Sequence, residues 1–197
     1  MFKEIGIGLV SLLALTACGS EVSDAQPAPG SVQTDVSADH ETVTVAGQSF
    51  SATHELGGYY LPQDDIAIGS IRLDHISVGL DWEFEQFQSG AEDAFLPLGL
   101  NFEDTSSPTG VGELGNTYYE VSHWLQPSAY DVSDEGLIFS GVHDVLGDYH
   151  FEGRWNLTDV GQMQSGYPEN AQSALIGTLT LGDVVFEDIT FQGWLGD

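Results

Sequence analysis

Cysteine is almost missing from this chain, with one, Cys18, in 197 residues. No internal disulfide can staple the fold, and the roughly 155 residues that follow residue 40 are enough to bury one core unaided. Fixed positive charge is nearly as scarce: three Lys and Arg stand against 31 Asp and Glu, a formal net charge of −28. So few cations cannot neutralise a phosphate backbone, which excludes nucleic acid as a partner. Anionic headgroups should likewise repel the body of the chain, over about a Debye length of 8 Å at physiological salt. Such an acid surplus costs stability through self-repulsion and protects solubility, as suits a saline or divalent-rich medium. Catalytic signatures are absent too. There is no G-x-S-x-G elbow, HExxH helix, P-loop or CxxC pair, so the usual hydrolase, zincin, nucleotide and redox classes have no motif. "GVGELG", Gly110 to Gly115, spells a dinucleotide fingerprint, but a Ser-Pro-Thr loop precedes it, a strand pattern follows, and Glu113 sits where phosphate would approach. It reads as a loop.

What is present begins at the amino terminus. Met1-Phe2-Lys3-Glu4 leads into 13 largely apolar residues, Ile5 to Ala17, the length of a signal-peptide core and short of the about 20 residues needed to span a bilayer. The stretch "LTACGS" follows, and Leu15-Thr16-Ala17-Cys18 resembles the lipobox of bacterial lipoproteins. That resemblance implies a diacylglyceryl group on the Cys18 sulfur, cleavage before Cys18 and acylation of the new amino terminus, with palmitate-type chains. One chain anchors only marginally at about 0.8 kcal/mol per buried CH₂, whereas several on one residue hold firmly. Gly19, rather than aspartate, follows the lipidated position, which in that family implies an outer-membrane location in the cell envelope. The expected organisation is a signal peptide over 1–17, a lipidated terminus with a flexible acidic tether over 18–40, and an all-β domain over 41–197. The tether has no aromatic residue and no large aliphatic beyond Val, so it cannot bury enough surface to offset its ordering entropy.

Beyond His40 hydrophobicity alternates with period two and no segment shows a convincing 3.6 period. "ISVGLDWEF" puts Ile76, Val78, Leu80, Trp82 and Phe84 on one parity, and "AFLPLGLNF" repeats the pattern with Pro97 marking an edge or irregular ladder. Other strands are expected over 42–45, 48–54, 66–73, 117–125, 137–143, 149–157, 175–181 and 184–194. With 24 glycines for turns, the fold class is all-β, a single antiparallel β-sandwich or β-barrel. A two-residue Gly147-Asp148 loop should pair Leu146 with Tyr149, Val145 with His150 and His143 with Glu152. That register puts Ile138, Val142, Leu146, Tyr149, Phe151, Trp155 and Leu157 inward. A second hairpin should turn at Gly182-Asp183; since Phe186 and Ile189 have opposite parity, a bulge is expected at Glu187-Asp188.

Three constellations carry candidate chemistry. His143, His150 and Glu152 share the outward face in that register, with donor types suited to zinc or copper, although a solvent-facing strand is ordinarily polar. "DVSDEG", Asp131 to Gly136, and "FED", Phe102 to Asp104, concentrate hard oxygen ligands of the kind Ca²⁺ takes, without the alternating acids of an EF-hand. No cofactor is expected, and a divalent ion stays open. On parity Trp82 and Trp155 belong to core faces, which leaves Trp124 with Tyr118 as the one platform on which a sugar ring could stack.

These features describe a lipid-anchored envelope protein with one binding or structural β-domain, rather than a catalyst. Its partners are the membrane, through the lipid, and an envelope protein, a glycan or a small apolar ligand. The alternatives are a lipocalin-like carrier and a glycan-binding or glycan-active sandwich using Asp81 and Glu83. The segment "GTLTLGDVVFEDITFQG" resembles the closing strands of YceI-like lipid-binding barrels, which implies a carrier; that family's opening motif is absent. A carrier requires an apolar interior cavity.

Overall fold

The computed structural model describes residues 47–113 and 115–196. The expected signal segment, Cys18, the expected tether and the strand expected over 42–45 lie outside the described residues. Thirteen strands and two helices follow in chain order: β1 Gln48–Phe50, β2 Gly58–Pro62, β3 Ala67–Ile68, β4 Ile71–Val78, α1 Asp81–Gln88, β5 Leu98–Asp104, β6 Thr109–Val111, β7 Thr117–Tyr119, β8 Ser122–Leu125, β9 Ala129–Val132, β10 Gly136–His143, β11 Gly147–Trp155, α2 Leu157–Gln164, β12 Leu175–Leu181 and β13 Val184–Trp194. The fold is therefore mostly β. One sheet runs β1-β9-β10-β11-β12-β13-β2-β4-β5-β8 with β3 attached to β4, and β6 and β7 form a separate small sheet. All pairings are antiparallel except β1 with β9.

The large sheet curls into a half-barrel. Its curvature follows from the chain itself. β8 pairs with β5 at one end of the path, the chain passes through Gln126-Pro127-Ser128, and β9 then pairs with β10 near the other end. The Ser128 amide donates to the Ser140 carbonyl at 3.0 Å, and the His123 and His143 rings meet edge to face at 5.6 Å. Inside the curl, Phe139 stacks on Phe151 at 5.1 Å and Phe151 meets Phe191 edge-on at 5.8 Å. Tyr60, Ile76, Leu100, Phe102 and Leu125 complete the same buried cluster, each large side chain contributing about 1.5–3 kcal/mol on transfer from water. The Tyr60 hydroxyl donates to the Leu56 carbonyl at 2.6 Å.

Both helices depart from the expected pattern. The even parity of Ile76, Val78, Leu80, Trp82 and Phe84 is not one strand face. β4 ends at Val78, and the Gly79 amide donates to the Pro97 carbonyl at 2.7 Å. From Leu80 the chain turns into α1, whose first turn carries Asp81 and Glu83 where the helix dipole favours them. Trp82 is consequently 49% exposed rather than core, while Phe84 is buried and stacks on Phe50 at 4.3 Å. Gly90, at φ +69°, follows the last turn. In α2 the Asn156 side chain accepts from the Asp159 amide, Val160 and Met163 are buried, and Gly166 at φ +83° ends the segment. Pro97 accordingly lies outside β5, and the 66–73 and 117–125 segments are each broken into two strands.

The first hairpin is registered differently from expectation. His143 pairs with Gly147, Gly141 with Tyr149, Ser140 with His150 and Ile138 with Glu152. The His143 Nδ1 accepts from the Val145 amide at 3.2 Å and the Leu146 amide at 3.4 Å, building a three-residue turn that delivers Gly147 at φ +74°. Leu137 and Phe139 therefore face inward, and Val142 is 74% exposed. Tyr149, Phe151 and Trp155 are buried as the alternation required. The second hairpin agrees with its sequence reading: Leu181 pairs with Val184 across Gly182-Asp183, and the register shifts between Gly177 and Leu179. Glu187 and Asp188 together stand opposite Thr178, the latter at φ +53°.

Two outcomes follow. Asp188 is exposed, so only its backbone conformation is at stake: Asp188→Val should cost about 1–2 kcal/mol in urea unfolding and Asp188→Gly should cost nothing. Asp134 accepts from the Thr53 hydroxyl and amide and the His54 amide, with His54 Nδ1 at 3.1 Å, and these bonds, the Thr53 hydroxyl foremost, hold its carboxyl well below the usual range. A depressed carboxyl stabilises the fold above its unfolded pKa of about 3.9 and loses that contribution as pH falls through the native value. The melting-temperature gap between wild type and Asp134→Asn should therefore be full at neutral pH and shrink progressively on acidification below about pH 4.

Candidate functional site

The outer face of the curled sheet carries a row of rings. Trp194 on β13 pairs with Tyr59 on β2, and Tyr59 pairs with Ser77 on β4; His75 of β4 pairs with Asn101 on β5, which pairs with Trp124 on β8. The Trp194 and Tyr59 centroids lie 5.7 Å apart, Tyr59 and His75 5.1 Å, His75 and Trp124 6.1 Å. Strand spacing alone would keep Trp124 farther from β4 than this, since β5 intervenes. Gly99 closes the gap. A Cβ built at Gly99 would meet the Trp124 indole at 2.7 Å, so the ring lies over β5 where a side chain would otherwise stand.

A bulge organises the polar part of the row. Leu73 pairs with Phe102 and His75 with Asn101, leaving Asp74 as the extra residue of β4. Both Leu73 and Ile76 can then face the core, while Asp74 and His75 are presented together. His75 Nδ1 lies 2.7 Å from Asp74 Oδ2, and the Asn101 amide donates to the same oxygen at 3.4 Å. The His75 contact, more than any other, holds the Asp74 carboxyl below its ordinary value. An ionised Asp74 can only accept, so Nδ1 is the donor of this pair and Nε2 is turned away from it.

Beside the row opens a cleft of about 530 Å³ whose walls include Tyr59, Leu80, Glu83, Phe95, Trp124 and Gln126. Tyr59, Leu80, Phe95 and Trp124 are 37%, 36%, 71% and 43% exposed, an unusual concentration of large apolar surface for one rim. Glu83 is already engaged, accepting from the Leu80 amide at 2.7 Å. The arrangement offers flat apolar faces edged by hydrogen-bonding groups, which is the chemistry of recognition.

The residues singled out from sequence are distributed otherwise. Trp124 is in this cleft, but Tyr118 is not its partner: Tyr118 belongs to the small β6–β7 sheet, where its ring occupies the space above Gly110. Trp124 shares its surface with His75 and Tyr59 instead. His150 and Glu152 lie on the outward parity of β11, opposite Ser140 and Ile138, whereas His143 has the inward parity of Phe139 and Gly141 and faces His123 across the curl. The three-residue turn that reset the register is what parts them. Among the described residues no three His, Cys, Asp or Glu groups are placed to hold a metal. Burial lowers the His150 pKa, with Glu152 opposing. Asp81 and Glu83 serve the start of α1 instead of a strand face, Asp81 accepting from the Trp82 amide at 2.7 Å. Among the carboxylates of "DVSDEG" and "FED", Asp134 ties down Thr53 and His54, Glu103 lies 3.3 Å from Arg72, and Asp104 accepts from the Ser106 amide and hydroxyl.

Sequence reasoning did not pick out Tyr59, His75 or Phe95. The Tyr59-Tyr60 pair held the signal for the first, since one of two consecutive strand tyrosines must face outward. Compared with protein-family models, with curated proteins and with solved structures, the chain matches none.

Gly99→Ala should lift the indole. The added methyl meets both Trp124 and, at 2.9 Å, the Leu125 carbonyl, so urea unfolding should show a loss of about 1–3 kcal/mol together with greater quenching of tryptophan emission by acrylamide.

Proposed function

We propose that this is a lipid-anchored protein of the cell envelope whose β-domain is a binding module, with the cleft at Tyr59 and Trp124 as its binding surface. The lipobox-like "LTACGS", which holds the one cysteine of the sequence, supports attachment through Cys18, and Gly19 favours the outer membrane. Several acyl chains on one residue would hold a body that its own charge drives away from anionic headgroups. For the domain we favour an incompletely closed barrel over a sandwich, because the β8–β9 run bonds to β5 before its Pro127 bend and to β10 after it. The observation that carries the binding reading is the clustering of exposed rings around a cleft on the outer face. It also weighs against a lipocalin-like or YceI-like carrier, whose ligand would need the space that Phe139, Phe151, Phe191 and Tyr60 occupy.

Expression in a diderm bacterial host fed an alkyne analogue of palmitate tests the anchor. Wild-type protein should carry the label and require detergent for release, and Cys18→Ser should be unlabelled. An intact mass showing a free Cys18 thiol in membrane-derived wild type would overturn the attachment.

A further inference from the structure

We infer that the cleft receives a neutral sugar ring, stacked on Trp124. The inference rests on the reading of this cleft as a binding surface and adds the class of ligand.

A pyranose has an apolar C–H face and a rim of hydroxyls, so its host needs a flat exposed ring with hydrogen-bonding groups at its edge. Trp124 meets the first need: Gly99 lets the indole lie down on the sheet and leaves it 43% exposed. Groups at its edge meet the second. Gln126 and Ser77 line the cleft with Trp124, and the His75 ring stands 6.1 Å from the indole with its Nδ1 side turned to Asp74. Tyr59, 5.1 Å beyond His75, offers a second face along the same row, as a chain of sugars would use. A fatty or purely aromatic ligand would leave these polar groups unpaired on desolvation.

Charge decides among sugars. No Lys or Arg belongs to the cleft lining. Of the two arginines in the described residues, Arg72 lies 3.3 Å from Glu103 and over the Tyr119 ring, and Arg154 is on β11. Uronates and sulfated glycans would meet a body of net charge −28 with no cation in the cleft to receive them, whereas hydroxyls of a neutral sugar can bond with Gln126 and Ser77 of its lining.

The test is saturation-transfer NMR and calorimetry on the full lipidated chain in a polyoxyethylene detergent, which has no sugar headgroup. The probes are cellohexaose, maltohexaose, the N-acetylglucosamine hexamer, an oligogalacturonate, and cyclohexanol as an apolar ring of similar size. At least one neutral hexamer should bind, the oligogalacturonate should bind about tenfold more weakly, and Trp124→Ala should weaken the neutral hexamer by about tenfold. Trp124→Phe should restore part of the affinity, and Tyr118→Ala should stay within about twofold of wild type. Circular dichroism identifies a variant that has lost its fold, in which case Trp124→Phe and Tyr59→Ala decide. Neutral binding unchanged by every Trp124 and Tyr59 variant would overturn the inference. Cyclohexanol bound at Trp124 with no sugar bound would overturn the ligand class and leave the cleft a binding surface; no probe bound would remove both.

Discussion

Large rings in these two sheets rest where neighbouring residues have no side chain. Trp124 lies over Gly99, Tyr149 over Gly141, Tyr118 over Gly110, and Phe151 fills the space at Gly153 and Gly177. Two of these are direct cross-strand pairs, Tyr149 with Gly141 and Tyr118 with Gly110. The exchange has a double effect. Glycine weakens a strand and lets it bend, and the ring laid on it restores the lost contact. A curled sheet with aromatic rings inside and out depends on that arrangement being met at each position, which is why several of these glycines leave no room for a Cβ.

The cleft at Trp124 is the outward expression of the same rule. On the inner face the rings laid on glycine are buried and serve cohesion; on the outer face Gly99 produces an indole that is fixed in place and still wet. The bulge at Asp74 adds the polar half by changing the facing of β4 in mid-strand. Leu73 and Ile76 both reach the core because one residue between them is extra, and Asp74 and His75 are the pair left outside. Local backbone irregularity at one residue thus assembles the site without a long loop.

Much of this was legible in the residues, and the failures have definite causes. The β12–β13 hairpin was readable down to its bulge because Phe186 and Ile189 had to face the same core from opposite parities. The same arithmetic on Leu73 and Ile76 would have found the Asp74 bulge. The β10–β11 register was not readable from turn propensity, since Gly147-Asp148 resembles a two-residue loop and the true turn is built by the His143 ring accepting from two amides. Helix α1 was hidden by an accident of spacing: Leu80, Trp82 and Phe84 continue the strand parity of Ile76 and Val78. Its end signals were visible nonetheless, with Asp81 and Glu83 at the start and Gly90 beyond the last turn. Fold class survives such errors because it rests on many strands. Site geometry does not, since an odd shift in register, here from Glu152 to Gly147 opposite His143, moves that residue to the other face.

The pairing of β1 with β9 has a different kind of consequence. It is three residues long and parallel, secured by the Tyr130 amide donating to the Gly47 carbonyl and the Ser51 amide to the Val132 carbonyl, both at 2.8 Å. This short strip occupies the backbone groups along the outer side of Tyr130–Val132, an extended run that would otherwise template addition of a strand from a second molecule. Proteolytic trimming that stopped before Gly47 would leave that cover in place. Trimming through Ser51 would bare that edge, able to pair with a strand of another molecule despite the charge.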